Sequence, residues 1–86
     1  PNETERNALN DLVSLLSSLD EKLTPSEIQT EVFTIGKKYY PKEKLRDWFK
    51  AIYEIVFGDQ QGPRMGSFIK FYGTKETKEL IESKIK

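Results

Sequence analysis

Apolar residues recur along this chain at spacings of three and four, the period of one face of an α-helix, with polar and charged residues between them. The first such stripe is Leu9, Leu12, Val13, Leu16 and Leu19, with acids on the opposite side and Leu23 just past the expected end. Asn2 and Glu5 precede it in an Asx-x-x-Glu pattern, which caps a helix start reciprocally. A second stripe, Ile28, Val32, Ile35 and Tyr39, follows "LTPSEIQ". There Thr24 suits the N-cap, Pro25 suits the first helical position, and Glu27 stands where a capping box needs a carboxylate. This helix must stop near Tyr40, because the residue before Pro41 is pushed out of the α region. The third stripe is the strongest: Leu45, Trp48, Phe49, Ile52, Tyr53 and Val56 within "KEKLRDWFKAIYEIVFG". Trp48 and Phe49 are expected to dominate the core, and Gly58 suits a left-handed C-cap.

The rhythm breaks in "VFGDQQGPRMGSFIKFYGT", residues 56–74, which hold four of the five glycines. Beyond the break the pattern predicts a helix of about two turns, started by Pro63 and ended by Gly73. Met65, Phe68, Ile69 and Tyr72 are spaced to pack on the third stripe, and Gly66 allows a close helix contact. Thr74 is expected to cap a last helix with Leu80, Ile81 and Ile85 as its inner face. Alternation at period two is nowhere sustained. The expected fold is therefore all-α, four to five helices with short turns, forming a single helical domain over residues 1–86. No apolar run approaches the roughly 20 residues of a membrane span.

Glycines 58, 62, 66 and 73 raise the question of a phosphate loop, but neither the P-loop nor the dinucleotide spacing is present, and the preceding element is a helix. A weaker anion site is better supported. Free N–H groups at the start of the helix opened by Pro63, with Arg64 beside them, favour a negative charge. An arginine at a helix start opposes the macrodipole and calls for a reason. Ser67, Lys70 and Tyr72 would extend such a site along an RNA backbone, with Phe68 or Phe71 stacking on a base. Packing is the competing account of these aromatics.

Charge adds to this picture. The chain is neutral overall, yet residues 1–31 carry −5, residues 37–50 carry +4 and residues 64–86 carry +3. Lys37, Lys38, Lys42 and Lys44 are the densest basic run and the further candidates for RNA-backbone contact, with a plain solvated face as the alternative. Cysteine and histidine are both absent. That removes thiolate metal sites, disulfides and the commonest general base, so no catalytic or metal-ligating residue is expected within the chain. The lack of cysteine fits a reducing compartment. A second functional reading is a free-standing interaction module that docks a protein through the Trp48 stripe or the lysine-rich last helix.

"WFKAIYEIVFGDQQGPRMGSFIKFYG", residues 48–73, resembles the C-terminal end of class I lysyl-tRNA synthetases, where such a helix runs into a Gly-Pro-Arg-x-Gly-Ser-Phe segment and a closing Tyr-Gly. Residues 24–47 fit the same region more loosely. The motif positions are Gly62, Pro63, Arg64, Gly66, Ser67 and Phe68, with Gly58, Trp48 and Phe49 ahead of them. The resemblance implies the C-terminal, tRNA-facing helical region of an enzyme that attaches lysine to tRNA with ATP, in the cytoplasm. Its partners would be tRNA and the remainder of the synthetase chain, with neither membrane nor metal. The family's catalytic domain carries His-Ile-Gly-His and Lys-Met-Ser-Lys-Ser signatures on a Rossmann-type fold. Neither occurs here, so ATP and the chemistry would belong to the parent enzyme and not to these residues.

Overall fold

Side-chain caps start the first two helices where the sequence places them. In a computed structural model, which describes residues 2–85, the Asn2 side chain accepts from the Glu5 N–H at 2.8 Å and the Glu5 carboxylate accepts from the Asn2 N–H at 3.1 Å. Pro1 and Lys86, the latter one of the bases counted in the last segment, lie outside the described residues. Helix α1 spans Glu3–Ser18. Thr24 and Glu27 make the same reciprocal pair for α2, Pro25–Tyr39, which ends with Tyr40 in an extended conformation before Pro41. A 3₁₀ turn, Lys42–Lys44, leads into α3, Leu45–Phe57. Gly58 closes α3 at φ 71° and ψ 20°, a left-handed conformation open to glycine at little cost. The last two helices are α4, Met65–Tyr72, and α5, Thr74–Ile85. There is no strand among the described residues, so the fold is the expected all-α bundle.

Two helix starts differ from expectation. Helix α4 begins at Met65, two residues after Pro63, with Arg64 as an extended N-cap that lends no side-chain bond. Thr74 does not cap α5 but lies inside it. The Gly73 carbonyl accepts the Thr77 N–H at 2.9 Å, and the Thr77 hydroxyl donates to the same oxygen at 2.7 Å. Thr77 therefore satisfies its own hydroxyl locally and is fully buried. The inner face of α5 is Thr77, Ile81 and Ile85, while Leu80 is half-buried.

The core closes where the stripes meet. Ala8, Leu9, Leu12 and Leu16 of α1 face Ile28 and Val32 of α2, Trp48 and Ile52 of α3, Met65 and Ile69 of α4, and Ile81 and Ile85 of α5. Val13, Leu19, Ile35 and Tyr39 lie at its margin. Trp48 is wholly enclosed, and its indole N–H donates to the Val32 carbonyl at 3.0 Å, which removes the cost of burying that donor. Phe49 does not share its role. One position round the helix, it is only half-buried and tilts against Phe33 at a centroid distance of 5.1 Å. Because the centre of the stripe is sealed, Trp48 has no surface with which to dock a partner. The interaction-module reading loses that feature.

Helix α4 also packs differently from expectation. It lies chiefly on α2, and Phe68 meets Phe57 at the end of α3. Gly66 makes this approach possible: a Cβ there would overlap the Pro25 carbonyl oxygen and stand 2.9 Å from the Gln29 nitrogen. Arg6 Nη1 donates to the Ile85 carbonyl at 2.7 Å and joins α1 to the end of α5, the two extremes of the chain.

Candidate nucleic-acid interface

The sequence-derived basic residues fall into two groups at opposite ends of α2. The first is the corner where α2 ends and the 3₁₀ turn begins, bearing Lys37, Lys38, Lys42 and Lys44. The second is the start of α4, with Arg64, Ser67 and Lys70. Gly66 of α4 sits beside Gln29, and Lys37 lies eight residues further along α2, which is about 12 Å of helical rise. The two groups are thus separate.

At the corner, Lys42 and Lys44 are exposed and make no ion pair or side-chain hydrogen bond among the described residues. Lys37 is exposed and its ammonium stands 5.9 Å from the centroid of the Phe33 ring. Phe33, itself 37% exposed, lines a groove of about 520 Å³ with Lys37, Tyr40, Pro41, Lys42 and Leu45. An apolar floor with lysines on its rim is chemistry that suits an anionic chain carrying flat groups.

Lys38 is committed elsewhere. Its ammonium lies 2.9 Å from Asp11 Oδ2, and the Tyr39 hydroxyl donates to the same oxygen at 2.8 Å. The hydrogen bond from Lys38 and then that from Tyr39 hold the Asp11 carboxyl below its usual range, and the same bond raises Lys38. At Asp11 the acidic first helix meets the basic segment instead of facing away from it. Lys44 also has acidic company, lining a depression with Glu5, Asp47, Lys50 and Glu54. In that depression the Tyr40 hydroxyl is closed off from solvent without a hydrogen-bond partner. Burial, reinforced by the charges of Glu5 and Asp47, pushes its phenol above the usual value.

At the start of α4 the anion site is partly filled from within. The Gly66 N–H donates to Gln29 Oε1 at 2.7 Å, so one of the free donors of the first turn already has an acceptor. The Lys70 ammonium donates to the Glu21 carbonyl, tying α4 to the α1–α2 turn beside a cleft that also holds Asp20, Lys75 and Glu76. Ser67 is half-buried. Arg64 and Pro63 are exposed, and Arg64 makes no ion pair or side-chain hydrogen bond among the described residues. A Cβ at Gly62 would come within 2.8 Å of the Phe57 ring, so glycine lets the loop pass close to it. Among the described residues no group of three or more acidic side chains is placed to hold a metal ion.

Sequence reasoning missed Phe33, Tyr40, Gln29 and Asp11 as parts of these two regions. Phe33 and Tyr40 left a local signal, lying four residues before and three after Lys37. Gln29 and Asp11 act across the fold, where sequence spacing carries no information.

No family model matches this chain, and no solved structure does. Among curated proteins it is similar to the lysine–tRNA ligases of Rickettsia felis and Rickettsia bellii, each 42% identical over 85 residues. It is also similar to that of Rickettsia prowazekii, 40% identical over 83 residues. The matches cover 99%, 99% and 96% of this chain and in each case 16% of the relative, so the chain spans about one-sixth of the length of the proteins it matches. Over nearly all of its length, the chain is a homologue of a segment of the lysine–tRNA ligases.

Proposed function

We propose that these 86 residues are the C-terminal, tRNA-facing helical domain of a class I lysine–tRNA ligase. The observation that carries this is the 42% identity sustained over 99% of the chain against one-sixth of such enzymes. In this reading the parent enzyme attaches lysine to its tRNA with ATP in the cytoplasm, and the catalytic residues lie in other parts of it. The absence of histidine and cysteine from the chain is consistent with that division. The corner bearing Lys37, Lys42 and Lys44 is the surface that meets the tRNA backbone, because its cations are exposed and two of them, Lys37 and Lys42, border an apolar groove. Arg64 is a second, lesser contact, half-buried Ser67 a weaker one still, and Lys70 acts mainly in holding α4 in place.

Replacing Lys37, Lys38, Lys42 and Lys44 with alanine in the parent enzyme tests this. The expected result is a Michaelis constant for tRNA raised about tenfold or more, with the rate at saturating tRNA little changed. An unaltered Michaelis constant would leave the domain as scaffold only.

A further inference from the structure

A continuous line of aromatic rings crosses the surface from α3 to the end of α4. Tyr53 and Phe57 have centroids 6.1 Å apart, Phe57 and Phe68 meet edge to face at 4.9 Å, and Phe68 and Tyr72 stack at 5.0 Å. Phe71, three residues after Phe68, stands beside this line on the outer side of α4. Much of it is open to solvent: Phe57 is 37% exposed, Tyr72 50% and Phe71 89%. On the inner side of α4, Met65, Gly66 and Ile69 are buried.

We infer that this aromatic face is the surface on which the remainder of the synthetase polypeptide packs, an inference that rests on the proposed function. Three observations select that occupant. First, relatives contain about five times as much chain outside the matched segment as within it, so a large tethered neighbour exists in them. Second, the α4 part of the face carries no free cation. The one charged residue of α4, Lys70, is turned to the Glu21 carbonyl, and on the α3 side Lys50 stands alone one turn before Tyr53. Nucleic acid stacked on aromatics needs repeated cations along its backbone, whereas an apolar protein surface does not. Third, the patch is small. At about 200 Å² per ring, the exposed parts of Phe57, Phe71 and Tyr72 amount to roughly 350 Å². That falls well short of the roughly 800 Å² per partner of a stable complex between separate molecules. For a covalently tethered partner, at an effective concentration in the millimolar range, it is enough.

Hydroxyl-radical footprinting of the full-length parent enzyme, read at individual rings, tests this against an internal reference. In these 86 residues Phe71 is far more exposed than Phe33, at 89% against 37%. The expected result is that in the parent Phe71 is oxidised more slowly than Phe33, and at least about fivefold more slowly than in the 86-residue chain. Phe71 oxidised faster than Phe33 in the parent overturns the inference. So does protection that appears only when tRNA is added, which would make the face an RNA surface. Protection of the 86-residue chain that grows with its own concentration also overturns it, in favour of self-association. The variant Phe71→Asp separates docking from folding: it should leave the melting temperature of the 86-residue chain unchanged and raise amide exchange of α4 in the parent about tenfold. Lysylation by the parent is assayed separately, so a parent without that activity refutes the proposed function while the footprint still reports on the face.

Discussion

Gly66 decides how near α4 can come to α2. The backbone carbonyl of Pro25 and the backbone nitrogen of Gln29 occupy the space a side chain would need, and neither can rotate away. Gly66→Ala must therefore push the helices apart and lengthen the 2.7 Å bond from the Gly66 N–H to Gln29. Overpacking of this kind costs on the order of 1–3 kcal/mol. For a chain of this size that is a fall in melting temperature of roughly 8–16 °C at the middle of the range, measurable by circular dichroism. An unchanged melting temperature would show that α4 docks with room to spare. The same residue illustrates what sequence could reveal. A glycine between Met65 and Ser67 in a helical pattern announced a close contact, but nothing local said with which helix. Its partners, Pro25 and Gln29, are some forty residues away. Lys38 and Lys70 were likewise legible as cations and illegible as paired groups, because Asp11 and Glu21 reach them only through the fold.

At the level of elements, α1 and α2 are held by a shared core and by a polar clasp at their surface, with Asp11 accepting from both Lys38 and Tyr39. These bonds keep the Asp11 carboxyl below its unfolded value of 3.8, so folding favours its ionised form. The resulting stability is fully present above that value and is lost as pH falls through the lower folded one. Comparing urea unfolding of the native chain and Asp11→Asn from pH 7 to pH 2 tests the clasp. The native chain should be more stable by a constant margin near neutrality, with the margin shrinking in added salt and closing on the acid side of pH 4. A margin that persists unchanged to pH 2 would mean that ionisation of Asp11 contributes nothing. Helix boundaries set by local chemistry were readable in advance: the Asn2 and Thr24 caps, the stop before Pro41, and the left-handed Gly58. The start of α4 was not. Pro63 is an eligible first residue, but the helix begins only at Met65, and the local pattern does not separate the two positions.

Across the whole molecule, zero net charge conceals a partition that matters for a polyanion partner. Of the candidate cations, Lys38 is neutralised by Asp11 and Lys70 is anchored to a carbonyl. Lys37, Lys42 and Lys44 remain exposed together at one corner, and Arg64 stands apart beyond the other end of α2. Such an arrangement offers an RNA backbone about three cations at once, far fewer than an autonomous nucleic-acid binder presents. Affinity of the 86-residue chain for tRNA should accordingly be weak, with the logarithm of the binding constant falling against the logarithm of salt concentration at a slope of about −2 to −2.7. Each lysine of the corner changed to alanine should flatten that slope by about 0.7–0.9, and the triple variant should bring it near zero. Arg64→Ala, at a separate and lesser contact, should flatten it by less than any one of these lysines. Fluorescence anisotropy of labelled tRNA between 25 and about 200 mM salt reads these slopes directly. If instead Arg64→Ala flattens the slope and the lysine variants do not, the RNA follows the Gly-Pro-Arg loop at the start of α4, and the corner of α2 reverts to an ordinary solvated surface.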